Sequence, residues 1–267
     1  MRRSGISACA AVVLVGAGCL LPGLGDFSGD PIDAAAIDAN PDGGAESAAT
    51  DAKVGSFCQR LSPPPTFCAD FDLGDFPAGF DSLTSYGAGT SVLDDGALGD
   101  PARSFYASTG ALTGSTQAAG ALQKKLAAPV KSSLRIEFDY VPVALDSSER
   151  SVVGVTFGKD VINLFVKSSG ARLAEAAALA DGGTVYGGGN LAKGFTVGKK
   201  THVKWVITVG GGKSSSSITL DTDAVEFDPL HVQDYPSAPQ ISLGMIFVVA
   251  PSPGWGARID DVVYDLQ

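Results

Sequence analysis

Few residues in this chain are placed to do chemistry. Glu137 and Asp139 sit two apart in the segment Ser133-Leu-Arg-Ile-Glu-Phe-Asp-Tyr-Val-Pro142. In a strand Leu134, Ile136, Phe138 and Tyr140 take one face, and Arg135, Glu137 and Asp139 the other. Paired carboxylates are the equipment of glycoside hydrolysis, whose retaining form needs two carboxyls about 5 to 5.5 Å apart. The strand motif Glu-x-Asp-x-x-Glu would place nucleophile, supporting Asp and acid/base on one face. Glu137-Phe-Asp139-Tyr-Val-Pro142 supplies its first two members but replaces the third with Pro142, which has no proton to give. The pair therefore reads as surface charge beside Arg135.

The histidines are His202 and His231, and no Gly-x-Ser-x-Gly elbow accompanies them, so nucleophilic hydrolysis has no visible frame. His202 opens a strand beside Trp205 and reads as a packed or exposed residue. Gly212-Lys213-Ser214 has the ending of a phosphate loop, but Ile207 stands where the first glycine is needed, so it reads as a hairpin turn. Asp221-Thr-Asp223 begins like an EF-hand loop and fails at Val225 and Glu226. With no complete catalytic set, the expectation is a protein that is not an enzyme.

The elements that position these residues are strands. The chain has 267 residues, 19 Lys plus Arg against 29 acids, and a net charge of -10, so no basic block exists to neutralise a phosphate backbone and no nucleic-acid partner is expected. Only Glu46, Glu137, Glu149, Glu175 and Glu226 of the acids are Glu, while Gly reaches 34 and Pro 15; this is turn and strand chemistry. Segments of strand length recur at 66–72, 103–107, 122–126, 133–143, 152–157, 161–167, 171–177, 202–209, 217–221, 241–249 and 258–266. Pairing is expected to fail near Pro142, which cannot donate to a ladder. Residues 171–180 carry helical propensity and serve equally as a strand entering the Asp181-Gly182-Gly183 turn. The spacing predicts one antiparallel β-sandwich or barrel over residues 57–267 rather than βαβ units.

Ahead of that body, Arg2 and Arg3 precede an uncharged, mostly apolar run from Ile6 to Ala17, the layout of a secretory signal and too short for a membrane span. Val15-Gly16-Ala17-Gly18-Cys19 resembles the bacterial lipoprotein processing site, with Gly16 where such sites usually carry Leu. The resemblance implies residues 1–18 as a signal peptide, a lipid on Cys19 and anchoring of an exported protein to a membrane. Leu20 in place of Asp points to the outer membrane or cell surface. Cys58 and Cys68 then remain as an even pair in an oxidising compartment, and a disulfide is expected rather than a metal pair or free thiols, since no CxxC or neighbouring His adds ligands. Residues 19–56, rich in Ala, Gly, Asp and Pro with Lys53 as their only base, read as a disordered tether spanning roughly 30 to 35 Å.

Phe67-Cys-Ala-Asp-Phe-Asp72, the strand around Leu134 to Val141, the hairpin holding Trp205 and Leu220-Asp221, and Ala257-Arg-Ile-Asp-Asp-Val-Val-Tyr-Asp265 resemble the laminin G-like, concanavalin A-like jelly rolls of bacterial surface proteins. The Cys58 to Cys68 loop ahead of Phe-Asp resembles lipoproteins of myxobacteria. The resemblance implies an all-β jelly roll of two antiparallel sheets, with the first and last strands side by side, in a superfamily that hosts lectins, glycosidases, lyases and adhesion modules. Calcium is common in that superfamily, and Asp94, Asp95, Asp260 and Asp261 are the oxygen donors available for it here; the default reading is solvated turn aspartates. Sugar binding asks for an aromatic platform, and Trp255 in its Pro-Gly-Trp-Gly loop, Tyr186, and Asn190 beside the Gly187-Gly188-Gly189 run are the candidates. The expectation is a cell-envelope lipoprotein whose non-catalytic domain binds a polysaccharide or a surface protein. The alternatives are a structural envelope protein without a ligand and a polysaccharide-active enzyme.

Overall fold

The computed structural model describes residues 56–267 apart from 73–76, 78, 95–102, 115, 180, 210–213, 232–236 and 250. Cys19, the 1–18 signal and the 19–56 tether up to residue 55 lie outside the described residues, as does Asp95. The described chain forms one short helix, α1 (Phe57–Arg60), then strands β1 (Phe67–Ala69), β2 (Ser82–Gly87), β3 (Gly89–Asp94), β4 (Ser104–Thr109), β5 (Gln117–Lys125), β6 (Ser133–Ala144), β7 (Arg150–Phe157) and β8 (Asp160–Lys167). There follow β9 (Gly170–Ala178), β10 (Thr184–Leu191), β11 (Thr201–Thr208), β12 (Ser214–Leu220), β13 (Asp223–Leu230), β14 (Gln240–Val249) and β15 (Trp255–Leu266).

Two antiparallel sheets result, as a jelly-roll sandwich requires. One runs β13-β12-β11-β6-β15-β4-β3 with β1 added beside β15; the other runs β10-β9-β8-β7-β14-β5-β2. The first and last strands are neighbours, with Phe67 opposite Tyr264. Of segment 171–180, residues 171–178 are strand, because alternate side chains of β9 enter the core while Arg172, Ala174 and Ala176 face away. The four strands without a clear apolar alternation in sequence, β2, β3, β10 and β13, are the four edges of the two sheets. An edge strand needs little apolar surface and tolerates Gly, Ser and Thr.

The core lies between the sheets. Trp205, Trp255, Tyr140, Phe138, Phe105 and Phe157 are at most 1% exposed, and full burial of each large side chain contributes roughly 1.5 to 3 kcal/mol. Trp205 keeps its polar handle satisfied, Nε1 donating to Ser216 Oγ at 2.6 Å. Pairing does not fail at Pro142 on both sides: β6 continues to Ala144 against β15, with Pro142 opposite Ala257, while its ladder with β11 ends at Tyr140. Proline lacks a donor only toward one neighbour, and there the Pro142 carbonyl accepts from Gly198 N instead.

The Gly187-Gly188-Gly189 run is a packing requirement. A Cβ at Gly188, whose φ is 130°, would lie 2.0 Å from the Leu173 carbonyl oxygen, and one at Gly189 would lie 2.4 Å from the Phe227 ring. Only bare backbone lets β10 pair beside β9 while Phe227 of β13 packs against it from the other sheet. Cys58 of α1 and Cys68 of β1 form a disulfide, so the expected bridge closes the loop holding Pro63-Pro64-Pro65.

Candidate functional site

Burial separates the two faces of the β10 to β2 sheet. On β8, Ile162, Leu164 and Val166 are buried and Val161, Asn163, Phe165 and Lys167 are partly exposed, so the second set faces away from the core. Directly opposed residues of antiparallel strands point to the same side, and the register carries this face across the whole sheet. Gly188, Ala174, Asn163, Gly154, Ser242, Gln123 and Ser82 pair one to the next through all seven strands. The result is a band of small and amide side chains running across the strands.

Local chemistry fixes the band. A Cβ on Gly154 would lie 2.8 Å from Asn163 Oδ1, so glycine there lets the Asn163 amide lie across the sheet, where Ser151 Oγ donates to Asn163 Oδ1 at 3.3 Å. Gln123 Oε1 accepts from Ser82 Oγ and from Gln240 Nε2, each at 3.1 Å. Beside the band stand aromatic rings: Phe165, Phe247 at 40% exposure and Tyr186 at 78%. The Arg172 guanidinium covers the Phe165 ring at 4.6 Å and donates through Nε to Glu149 at 2.7 Å. Lys167 reaches the other Glu149 oxygen at 3.4 Å. Burial pushes the Glu149 carboxyl up, and hydrogen bonds from Arg172 and Lys167 outweigh it, holding the group below the usual carboxylate range. At the far end, Lys125, Thr156 and Gln240 line a cleft of about 430 Å³.

The outward strand positions of this sheet carry Lys125, Lys167 and Arg172 and, among the described residues, no carboxylate. The chain as a whole is at -10, so the acids are elsewhere. Many are on the outward face of the other sheet. There Arg135 contacts Asp265 at 3.2 Å and Glu137 at 3.7 Å, and Lys204 reaches Glu137 at 3.3 Å. Lys200 and His202 both bind Asp139 at 2.8 Å.

β15 pairs with β4 through Ile259 and with β1 from Val262, and at the hand-over it bulges opposite Asp139, with Asp261 at φ 52°. Asp260 and Asp261 occupy that bulge, close enough to Asp70 and Asp72 for their charges to interact. Burial, joined by the charges of Asp261, Asp72 and Asp70, pushes Asp260 up to about 7; burial, with Asp139 and Asp70, pushes Asp261 to about 6. Asp139 is raised by burial, but hydrogen bonds from His202 and Lys200 prevail and hold it low, and the same bond to Asp139 raises His202.

The sequence-derived candidates divide between these surfaces. Tyr186 and Asn190 both lie on the outward face of the β10 to β2 sheet, opposite Ala176 and Arg172. Trp255 does not serve as a platform: it is 1% exposed and part of the core, because the Trp255–Ile259 stretch is a central strand paired to β4 rather than a loop. Glu137 and Asp139 lie on the opposite sheet in ion pairs with Arg135, Lys204 and Lys200, and His202 is half exposed. Asp221 turns the β12 to β13 hairpin at φ 56°, and with Asp223 it binds Lys193. Among the described residues no group of three or more His, Cys, Asp or Glu is arranged to hold a metal ion. Asn163, Gln123, Phe165, Arg172 and Lys125 were not legible as site residues, since their face is set by register.

No protein-family model matches the sequence, and no curated protein matches it either. Solved structures do match. An endo-β-1,4-glucuronan lyase from the fungus Trichoderma reesei superposes with a TM-score of 0.63 at 10% identity, covering 76% of this chain and 96% of that one. Alginate lyase vAL-1 from a Chlorella virus gives 0.50 at 9% identity, covering 70% and 92%, and the cellulose-induced protein Cip1 gives 0.50 at 11%, covering 74% and 96%. At these identities the likeness shows the jelly-roll fold alone.

Proposed function

We propose that this chain is an exported envelope lipoprotein, anchored through Cys19, whose jelly roll binds an acidic polysaccharide without cleaving it. The observation that carries the ligand reading is that the outward strand positions of the β10 to β2 sheet carry, among the described residues, Lys125, Lys167 and Arg172 and no carboxylate, with Glu149 just ahead of β7 pairing Lys167 and Arg172, in a chain of net charge -10. A polyanion is repelled by the net charge of the chain and meets Lys125, Lys167 and Arg172 on this face, with the Asn163, Gln123 and Gln240 amides to bond hydroxyls and Tyr186 and Phe247 to stack on rings. The same sandwich carries a glucuronan lyase and an alginate lyase, which accords with a sugar polymer as ligand. The non-catalytic part of the reading rests on the sequence, in which no complete catalytic motif stands.

Affinity electrophoresis of the full chain in gels holding alginate, polygalacturonate or neutral dextran tests it. Retardation by the acidic polymers, weakened by salt as surface charge is screened and by Lys125→Ala with Arg172→Ala, is the expected outcome. Equal mobility in all three gels overturns it. Mass spectrometry of the native protein for acyl chains on Cys19 tests the anchor separately.

A further inference from the structure

The outward face ends, at the β2–β3 corner, in a second cleft of different character. The β2–β3 turn is pressed onto the start of β5: a Cβ at Gly87, whose φ is 62°, would lie 2.0 Å from the Gln117 carbonyl oxygen, and one at Gly89 equally close to that of Ala119. Facing the turn, the segment after β4 is pinned by reciprocal backbone bonds between Leu112 and Ser252 at 2.8 and 3.1 Å. It then turns through Thr113 and Thr116, the Thr116 hydroxyl donating to the Thr113 carbonyl at 2.8 Å. Between these two fixed walls is a cleft of about 610 Å³, within the range of sites that hold small ligands.

Among the described residues its lining is uncharged: Tyr86, Gly87, Ala111, Thr113, Thr116 and Gln117 dominate it. Tyr86 projects from the outward face, opposite Ala119, and is 53% exposed. The contrast with the Lys125 cleft is chemical. The two clefts lie at opposite ends of β5 (Gln117–Lys125), which at about 3.3 Å per residue are roughly 26 Å apart. A carboxylate entering the Tyr86 cleft would lose water and meet no cation, which is unfavourable. A neutral sugar ring would lay its apolar face on Tyr86 and meet hydroxyl and amide groups at its rim.

We propose that the Tyr86 cleft is a second binding site, specific for an uncharged sugar residue, at one end of the polysaccharide track. It rests on the carbohydrate reading above and adds to it that the ligand, or a separate glycan, presents a neutral ring there.

The test is NMR titration of the full chain with neutral trisaccharides, cellotriose, laminaritriose, mannotriose and galactotriose, alongside alginate trisaccharide. At least one neutral sugar is expected to shift the Gln117 side-chain amide and the Tyr86 ring. Its affinity should be indifferent to salt, unchanged in Lys125→Ala and Tyr86→Phe, and about tenfold weaker in Tyr86→Ala. Thermal melting of Tyr86→Ala at the wild-type temperature establishes that the variant is folded. No shift with any neutral sugar, or equal binding by Tyr86→Ala, overturns the proposal. If alginate is not bound while a neutral sugar still shifts Gln117, the charged-groove reading has failed and this one stands.

Discussion

Replacing Asp260 by Asn should make the protein more stable in mild alkali than the wild type and flatten its pH dependence. The Asp260 carboxyl is 8% exposed, buried at the β15 bulge among Asp261, Asp70 and Asp72, and pushed up to about 7 from 3.8. In the unfolded chain it is ionised by about pH 5, whereas in the folded chain it keeps its proton to about pH 7. A carboxyl raised in this way stabilises the fold below its ordinary pKa, and that stabilisation is lost as pH rises through the folded value. Over the two units from pH 5 to 7 the loss is about 3 kcal/mol. Asn has no proton to lose, and its Oδ1 can still accept from Asp261 N, the bond Asp260 accepts at 2.8 Å. Asp261 and His202 titrate in both proteins, so the difference between them reports Asp260 together with its coupling to Asp261. Thermal unfolding at pH 5 and pH 8 should therefore show the variant gaining about 5 to 11 °C relative to wild type on moving to the higher pH. Parallel pH profiles, or a variant less stable at pH 8, would refute the argument that this carboxyl is buried as an acid.

Three further outcomes are expected. Asp139→Asn should return His202 toward its ordinary pKa, followed by its ring proton shifts, and should weaken the stabilisation that Asp139 contributes above the carboxylate range and loses as pH falls. Gly188→Ala should destabilise by at least about 2 kcal/mol from strain and overlap, whereas Gly110→Ala, with nothing within 4 Å of its Cβ, should leave denaturant midpoints unchanged. Opening the Cys58 to Cys68 bridge, whose ends are 10 residues apart, with Cys58→Ser should cost about 2.7 kcal/mol on the chain-entropy scale, read from chemical denaturation with and without reductant.

Local sequence showed most of the sandwich because its inner strands are covered on both edges and one face. β6, β8, β11 and β15 must alternate, and Leu134, Ile136 and Phe138 do. The β11 to β12 hairpin, with Trp205 opposite Ile218, was legible from apolar runs around a glycine-rich break. β2, β3, β10 and β13 were hidden for the complementary reason: with one neighbour each, β2, β3 and β10 are built largely from Ser, Thr, Gly and Tyr that elsewhere spell a loop, and β13 carries Asp223, Glu226, Asp228 and Pro229. Trp255 illustrates the opposite error, where flanking glycines suggested an exposed loop and instead let a large ring sit in a crowded strand.

What the sequence alone determined was the class of the fold, the disulfide, the strand faces of Glu137 and Asp139, and the lack of a complete catalytic motif. Each is set by residue type at short range: alternation, turn residues, the pairing of two thiols. Only tertiary structure decided which residues share a surface. Asn163 and Gln123 come from strands far apart in the chain and meet through the register of β8, β7, β14 and β5. Asp260 becomes an acid because β1 and β4 meet along β15 and exclude water from it. Sheet order and burial are sums over long-range contacts, and no stretch of neighbouring residues encodes them.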